Sequence, residues 1–108
     1  MSLYRPMRLV LLYDICNSDY LERKEYTIFR NALLKNGYYM MQFSVYVKCV
    51  NVQTKIEQEI NKIKKYIPKF GNIRVIAVTE KQYSNMFVLL GNKTDNEIYN
   101  SPERYIKI

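Results

Sequence analysis

In an extended chain successive side chains alternate between two faces. Along residues 7–15 (MRLVLLYDI), Leu9, Leu11 and Tyr13 fall on one face and Val10, Leu12 and Asp14 on the other. Residues 72–79 (NIRVIAVT) behave the same way, with Ile73, Val75 and Ala77 opposed to Arg74, Ile76 and Val78. Both faces of both segments are largely apolar. A sheet built from them needs cover on each side. At 108 residues the chain is one domain with little spare material for a second layer.

The rest of the chain supplies two helices. Asp19-x-x-Glu22 has the form of a capping box. From there to Asn36, Tyr26, Phe29, Ala32 and Leu33 form one face, and Gly37 is a good stop. Residues 38–50 (YYMMQFSVYVKCV) are aromatic and β-branched, which predicts two short strands or one bent near Gln42 and Phe43. Asn51 is placed to cap a second helix. There Val52, Ile56, Ile60, Ile63 and Ile67 make an apolar stripe, closed by Pro68 and Gly71. Residues 80–84 read as a turn or one helical turn, and 85–90 (NMFVLL) as a last strand.

The order is β-α-β-β-α-β plus one strand, an α+β, ferredoxin-like arrangement with both helices on one face of an antiparallel sheet. The second apolar face then calls for another copy, packed sheet to sheet about a two-fold axis as a symmetric homodimer. The late strand would extend the sheet or join the partner's edge. Residues 1–91 form the domain, and residues 92–108 a polar C-terminal tail.

Several function classes fall away. There is no histidine, so Ser-His-Asp and Cys-His catalysis and His-ligated zinc are excluded. Cys16 and Cys49 are too few for a zinc site or a disulfide framework. They read as reduced thiols of a cytoplasmic protein with no signal peptide and no membrane span. There is no GxGxxG and no GxxxxGK[ST] motif.

What remains is charge. The formal net charge is +7. Lys55, Lys62, Lys65 and Lys69 lie roughly along an exposed stripe of the second helix, and Arg23, Lys24, Arg30 and Lys35 decorate the first. Each alone fits an ordinary solvated face. Together, on so basic a domain, they suit a polyanion such as nucleic acid. Asp14 ends an apolar strand on the face that awaits a partner. It fits a strand-end carboxylate that caps the Asn17-Ser18 turn or pairs with an arginine. It also fits a metal ligand. Mg²⁺ takes one or two carboxylates with waters and phosphates, and a two-fold axis would bring two Asp14 side chains together. A divalent ion there would activate water for phosphodiester hydrolysis.

These residues resemble a known family, the small CRISPR-associated protein two of the spacer-acquisition machinery. The resemblance rests on LVLLYDI ending in Asp14, QFSVYVK at 42–48, the helix after Asn51, GNIRVIAVTEKQY at 71–83 and the late apolar strand. The VTEKQ stretch is similar to the form found in type II systems. The resemblance implies a ferredoxin-like homodimer held between dimers of the CRISPR-associated integrase, protein one, where it helps to hold a double-stranded DNA prespacer. It also implies, for some members, an Mg²⁺- or Mn²⁺-dependent ribonuclease or deoxyribonuclease in which Asp14 is the catalytic residue and metal ligand. Tyr13 and Ser44 match family positions beside that site. Many members carry an arginine two residues before the glutamine of Q-x-S-V-[YF]; here Met40 stands there. Arg23 and Lys24 match the family's early-helix arginines only loosely in spacing.

Two functions therefore compete. The first is a structural duplex-binding subunit of an integrase. The second is a metal-dependent endonuclease using Asp14 from both subunits. A small-molecule-binding regulatory domain of the same fold fits less well, since Gly37, Gly71 and Gly91 are too few for a ligand loop and such domains have no need of the positive surface.

Overall fold

The computed structural model describes residues 6–14, 18–51 and 56–91. The elements run β1 (Pro6–Asp14), α1 (Tyr20–Lys35), β2 (Tyr39–Gln42), β3 (Val45–Asn51), α2 (Ile56–Lys64), β4 (Asn72–Thr79) and α3 (Glu80–Ser84). The four strands form one antiparallel sheet in the order β2-β3-β1-β4. This is the ferredoxin-like order expected from the sequence. The most apolar strand, β1, takes a central place between β3 and β4.

Local signals set the ends of α1. The Asp19 side chain accepts from the Glu22 N–H and the Glu22 carboxylate accepts from the Asp19 N–H, a complete capping box. At the other end Gly37 has φ +89°, a left-handed value that a residue with a Cβ disfavours. The Tyr38 N–H then donates to the Leu33 carbonyl, turning the chain into β2.

The core lies between the sheet and the first two helices. Leu9, Leu11 and Tyr13 of β1 pack with Phe29 and Leu33 of α1, Ile63 of α2, and Tyr46 and Val50 of β3. Full burial of each aliphatic or aromatic side chain contributes about 1.5–3 kcal/mol. Tyr13 meets Tyr26 and Phe29 edge-on, with ring centroids 5.8 and 5.1 Å away. A one-residue slip of β1 would throw all three inward residues outward, so these contacts fix the register.

The structure departs from the sequence reading in three places. Residues 85–90 are not a strand. A strand needs a ladder partner, and the segment finds none among the described residues. Phe87, Leu89 and Leu90 are left almost fully exposed. Asn51 is the last residue of β3 rather than a helix cap, and Val52 lies outside the described residues. The second helix stops at Lys64, not near Ile67. Its end tightens into i+3 bonds, Tyr66 N–H to the Ile63 carbonyl and Ile67 N–H to that of Lys64, ahead of Pro68. Ile67 is consequently exposed.

The second face of the sheet is partly covered from within. After β4, Thr79 and Gln82 form a capping box that starts α3. Glu80 pairs with Arg8 of β1, which is 1% exposed, through contacts of 2.7 and 3.0 Å. Arg8 also donates to the Tyr39 hydroxyl and stacks on the Tyr83 ring. Leu12 and Ile76, further along the same face, remain 44% and 54% exposed.

Candidate functional site

Asp14 owes its position to its neighbour. Tyr13 is held in the core, so the alternation of β1 turns Asp14 to the open face beside Leu12. The Tyr13 N–H donates to the Ser44 carbonyl at 2.8 Å, which brings the β2–β3 turn against the end of β1. Ser44 has φ +66°, which for a residue with a Cβ costs on the order of 1–2 kcal/mol. On the other side Asp14 is paired in register with Asn72 of β4, and Leu12 with Arg74.

Together these segments enclose an open depression lined by Leu12, Tyr13, Asp14, Ser44, Val45, Asn72 and Arg74. Asp14 and Arg74 are both exposed there. Neither forms an ion pair with another described residue, so the arginine partner considered from the sequence is not found among the described residues. The Asn17-Ser18 turn cannot be compared in full, since residues 15–17 lie outside the described residues. The Ser18 hydroxyl itself donates to Glu22.

Among the described residues, the depression offers a metal a single carboxylate, that of Asp14. Among the described residues no three His, Cys, Asp or Glu side chains converge. The oxygens of Asp14, with Ser44 and Asn72 alongside, suit a hard cation that keeps most of its waters.

The proposed basic residues are scattered over the helical side of the molecule. Arg23, Lys24 and Lys35 are exposed on α1. Arg30 is half-buried beside the Tyr46 phenol; burial, with Tyr26, pushes that phenol up to about 12, and Arg30 pulls the other way. On α2, Lys62 is tied to Glu59 at 3.0 Å. Lys65 and Lys69 are exposed but lie past the end of the helix, so they do not continue its stripe. Lys69 meets α1 through its backbone N–H, which donates to Glu25 at 3.2 Å. Lys55 lies outside the described residues.

Sequence reasoning missed three charged groups. Glu59 is buried between Lys48 and Lys62. Burial pushes its carboxyl up, but the hydrogen bonds from the two lysines outweigh that and hold it below its ordinary value. Arg8 is buried under α3, and Arg74 shares the depression with Asp14. Only Arg74 was legible in advance, since the alternation of residues 72–79 sets it on the second face. The Met40 position also changes meaning. Met40 packs against the core from β2, which β3 separates from β1. A basic residue there would stand on the helical side, away from Asp14.

Comparison with known proteins agrees with this architecture. Residues 7–86 match the family model described as CRISPR associated protein Cas2. The chain is 42% identical over 101 residues to the CRISPR-associated endoribonuclease Cas2 of Ligilactobacillus salivarius, covering 93% of this chain and 98% of that protein. With the protein of the same name from Streptococcus mutans UA159 it shares 40% identity over 100 residues, 93% of this chain and 91% of the other. With the Campylobacter jejuni protein of that name it shares 39% over 95 residues, which is 88% of this chain but only 66% of the longer relative. The matched span runs from β1 through α3 and takes in Asp14, Ser44 and Arg74, and on this evidence the chain belongs to the CRISPR associated protein Cas2 family.

Proposed function

We propose that the chain is a structural, double-stranded-DNA-binding subunit of the CRISPR spacer-acquisition complex, working in the cytoplasm as a homodimer beside the CRISPR-associated integrase. The observation that carries this reading is the open half of the sheet. Leu12 and Ile76 are exposed there, next to a depression with one carboxylate and one arginine. A second copy laid on that face buries the apolar pair and joins two +7 chains into one basic body. Exposed lysines and arginines on the outer helices then meet phosphates, which positions a duplex without reading its sequence.

Co-purification tests the reading. The dimer and its integrase partner are expected to elute as one complex that retains duplex DNA at low salt. Separate elution of the two proteins, with DNA on the integrase alone, would overturn it.

A second reading is a metal-dependent endonuclease acting on RNA or DNA. It is favoured by the exposure of Asp14 in an open depression and by the name, endoribonuclease, that the relatives carry. Asp14 from each subunit would hold Mg²⁺ or Mn²⁺, with Ser44 and Asn72 alongside. Such an ion, when bound, supplies charge neutralisation and water activation. This reading expects metal-dependent cleavage that disappears in Asp14→Ala and falls to an intermediate level when active and inactive subunits are mixed. Cleavage that survives Asp14→Ala would exclude it.

A further inference from the structure

We propose that the groove between α1 and the segment after α2 takes an unpaired nucleobase, which stacks on Tyr66. The proposal rests on the nucleic-acid-binding reading above and adds a single-stranded feature to its ligand.

The groove is lined by Ile28, Asn31, Ala32, Lys35, Asn36 and Tyr66. The helical turn sets Ile28, Ala32 and Lys35 on one flank of α1. The other wall comes from the end of α2. That helix stops at Lys64, and the Tyr66 N–H closes on the Ile63 carbonyl at 3.0 Å. The chain then passes beside α1, where the Lys69 N–H donates to Glu25. Tyr66 is thereby held against α1 and is still 38% exposed. The groove lies on the helical side, opposite Leu12 and Ile76, so a second copy on the open half of the sheet leaves it free.

Three properties choose the occupant. The first is size. The groove holds about 220 Å³, less than the about 300–1,000 Å³ of sites for larger organic ligands. It admits one flat ring system rather than a segment of another protein. The second is charge. Lys35 and Lys65 are exposed and form no ion pair among the described residues, and the Lys65 ammonium stands 5.4 Å from the centre of the Tyr66 ring. No carboxylate lines the groove among the described residues. Free cations beside a slot for a ring suit a base that arrives with its phosphates. The third is hydrogen bonding. The Asn36 amide donates to the Ala32 carbonyl at 2.8 Å, which leaves its side-chain oxygen to accept. Asn31 is exposed, and its amide is not engaged among the described residues. Two amides can meet the edge of a base whose face lies on the tyrosine.

The test uses the full chain and a short DNA duplex with a single-stranded overhang. In one version the overhang carries its bases, and in the other it is abasic, so the two present the same phosphates. Wild-type protein is expected to bind the version with bases about tenfold more tightly, the scale of one stacked base. Tyr66→Leu keeps apolar bulk but removes the ring, and should abolish the difference while leaving affinity for the abasic version unchanged. Tyr66→Phe should preserve it, since stacking uses the ring and not the hydroxyl. Equal wild-type affinity for the two versions would overturn the proposal and leave the duplex-binding reading standing. A preference that survives Tyr66→Leu would overturn it as well, by removing the tyrosine from the contact. A wild type that binds neither version would overturn both readings.

Discussion

Glu59 and Glu80 show what single charged groups do in this small fold. Glu59 is buried, and its carboxyl is held below its ordinary value by Lys48 and Lys62. A lowered folded value means that its contribution to stability is fully present above the unfolded value and is lost as pH falls through the folded one. Wild-type protein should therefore lose stability on acidification more steeply than Glu59→Gln, as read from denaturant midpoints across the acid range. Parallel curves for the two proteins would contradict this. Glu80 faces a guanidinium that is almost wholly out of water. Glu80→Ala strands that buried charge and should cost about 3 kcal/mol, seen as a lower denaturation midpoint at unchanged slope. A loss of a few tenths would mean that α3 is not held down by this pair. Neither residue's role was legible in the sequence: both are charged and sit in polar stretches, Glu59 is buried against Lys48 and Lys62, and Glu80, only partly buried, meets Arg8 from the far end of the fold.

At the scale of elements, the parts that were legible are those set by short-range chemistry. Alternation in β1 and β4, the Asp19 and Glu22 box, and Gly37 all act within a few residues, and each element appears where its signal lies. The bend near Gln42 and Phe43 resolves into a bulged hairpin whose turn holds Ser44 at positive φ. What the sequence missed depends on partners across the fold. Residues 85–90 have strand composition but pair with no strand among the described residues, although the outer edges of β2 and β4 are open, so composition alone misleads. The second sheet face looked wholly unpartnered because α3, five residues long, gave no sign that it would fold back over Arg8. The remaining apolar patch is correspondingly smaller, which sharpens a prediction about it. Ile76→Arg places a charge in the proposed subunit contact while leaving the core untouched. It should yield a monomer in sedimentation equilibrium with an unchanged far-UV spectrum. A dimer that persists would move the contact away from this face.

At the scale of the whole molecule, the sheet separates two surfaces. Exposed cations of α1 and of the segment after α2 lie on the helical side, and Asp14 and Arg74 on the other. A homodimer joined through the open sheet would carry the helices outward and bring the two Asp14 depressions toward its axis. Such a body is a basic spacer whose charge lies where a duplex can follow it. Its one exposed strand-end carboxylate per chain is a slender basis for catalysis. The account therefore centres on binding and geometry. The most direct test is spacer integration by the co-purified integrase complex, run side by side with wild type and with an Asp14→Ala subunit verified to be folded and dimeric. The account predicts the same integration yield from both. Loss of integration with the Asp14→Ala subunit would contradict it and place the chemistry at Asp14.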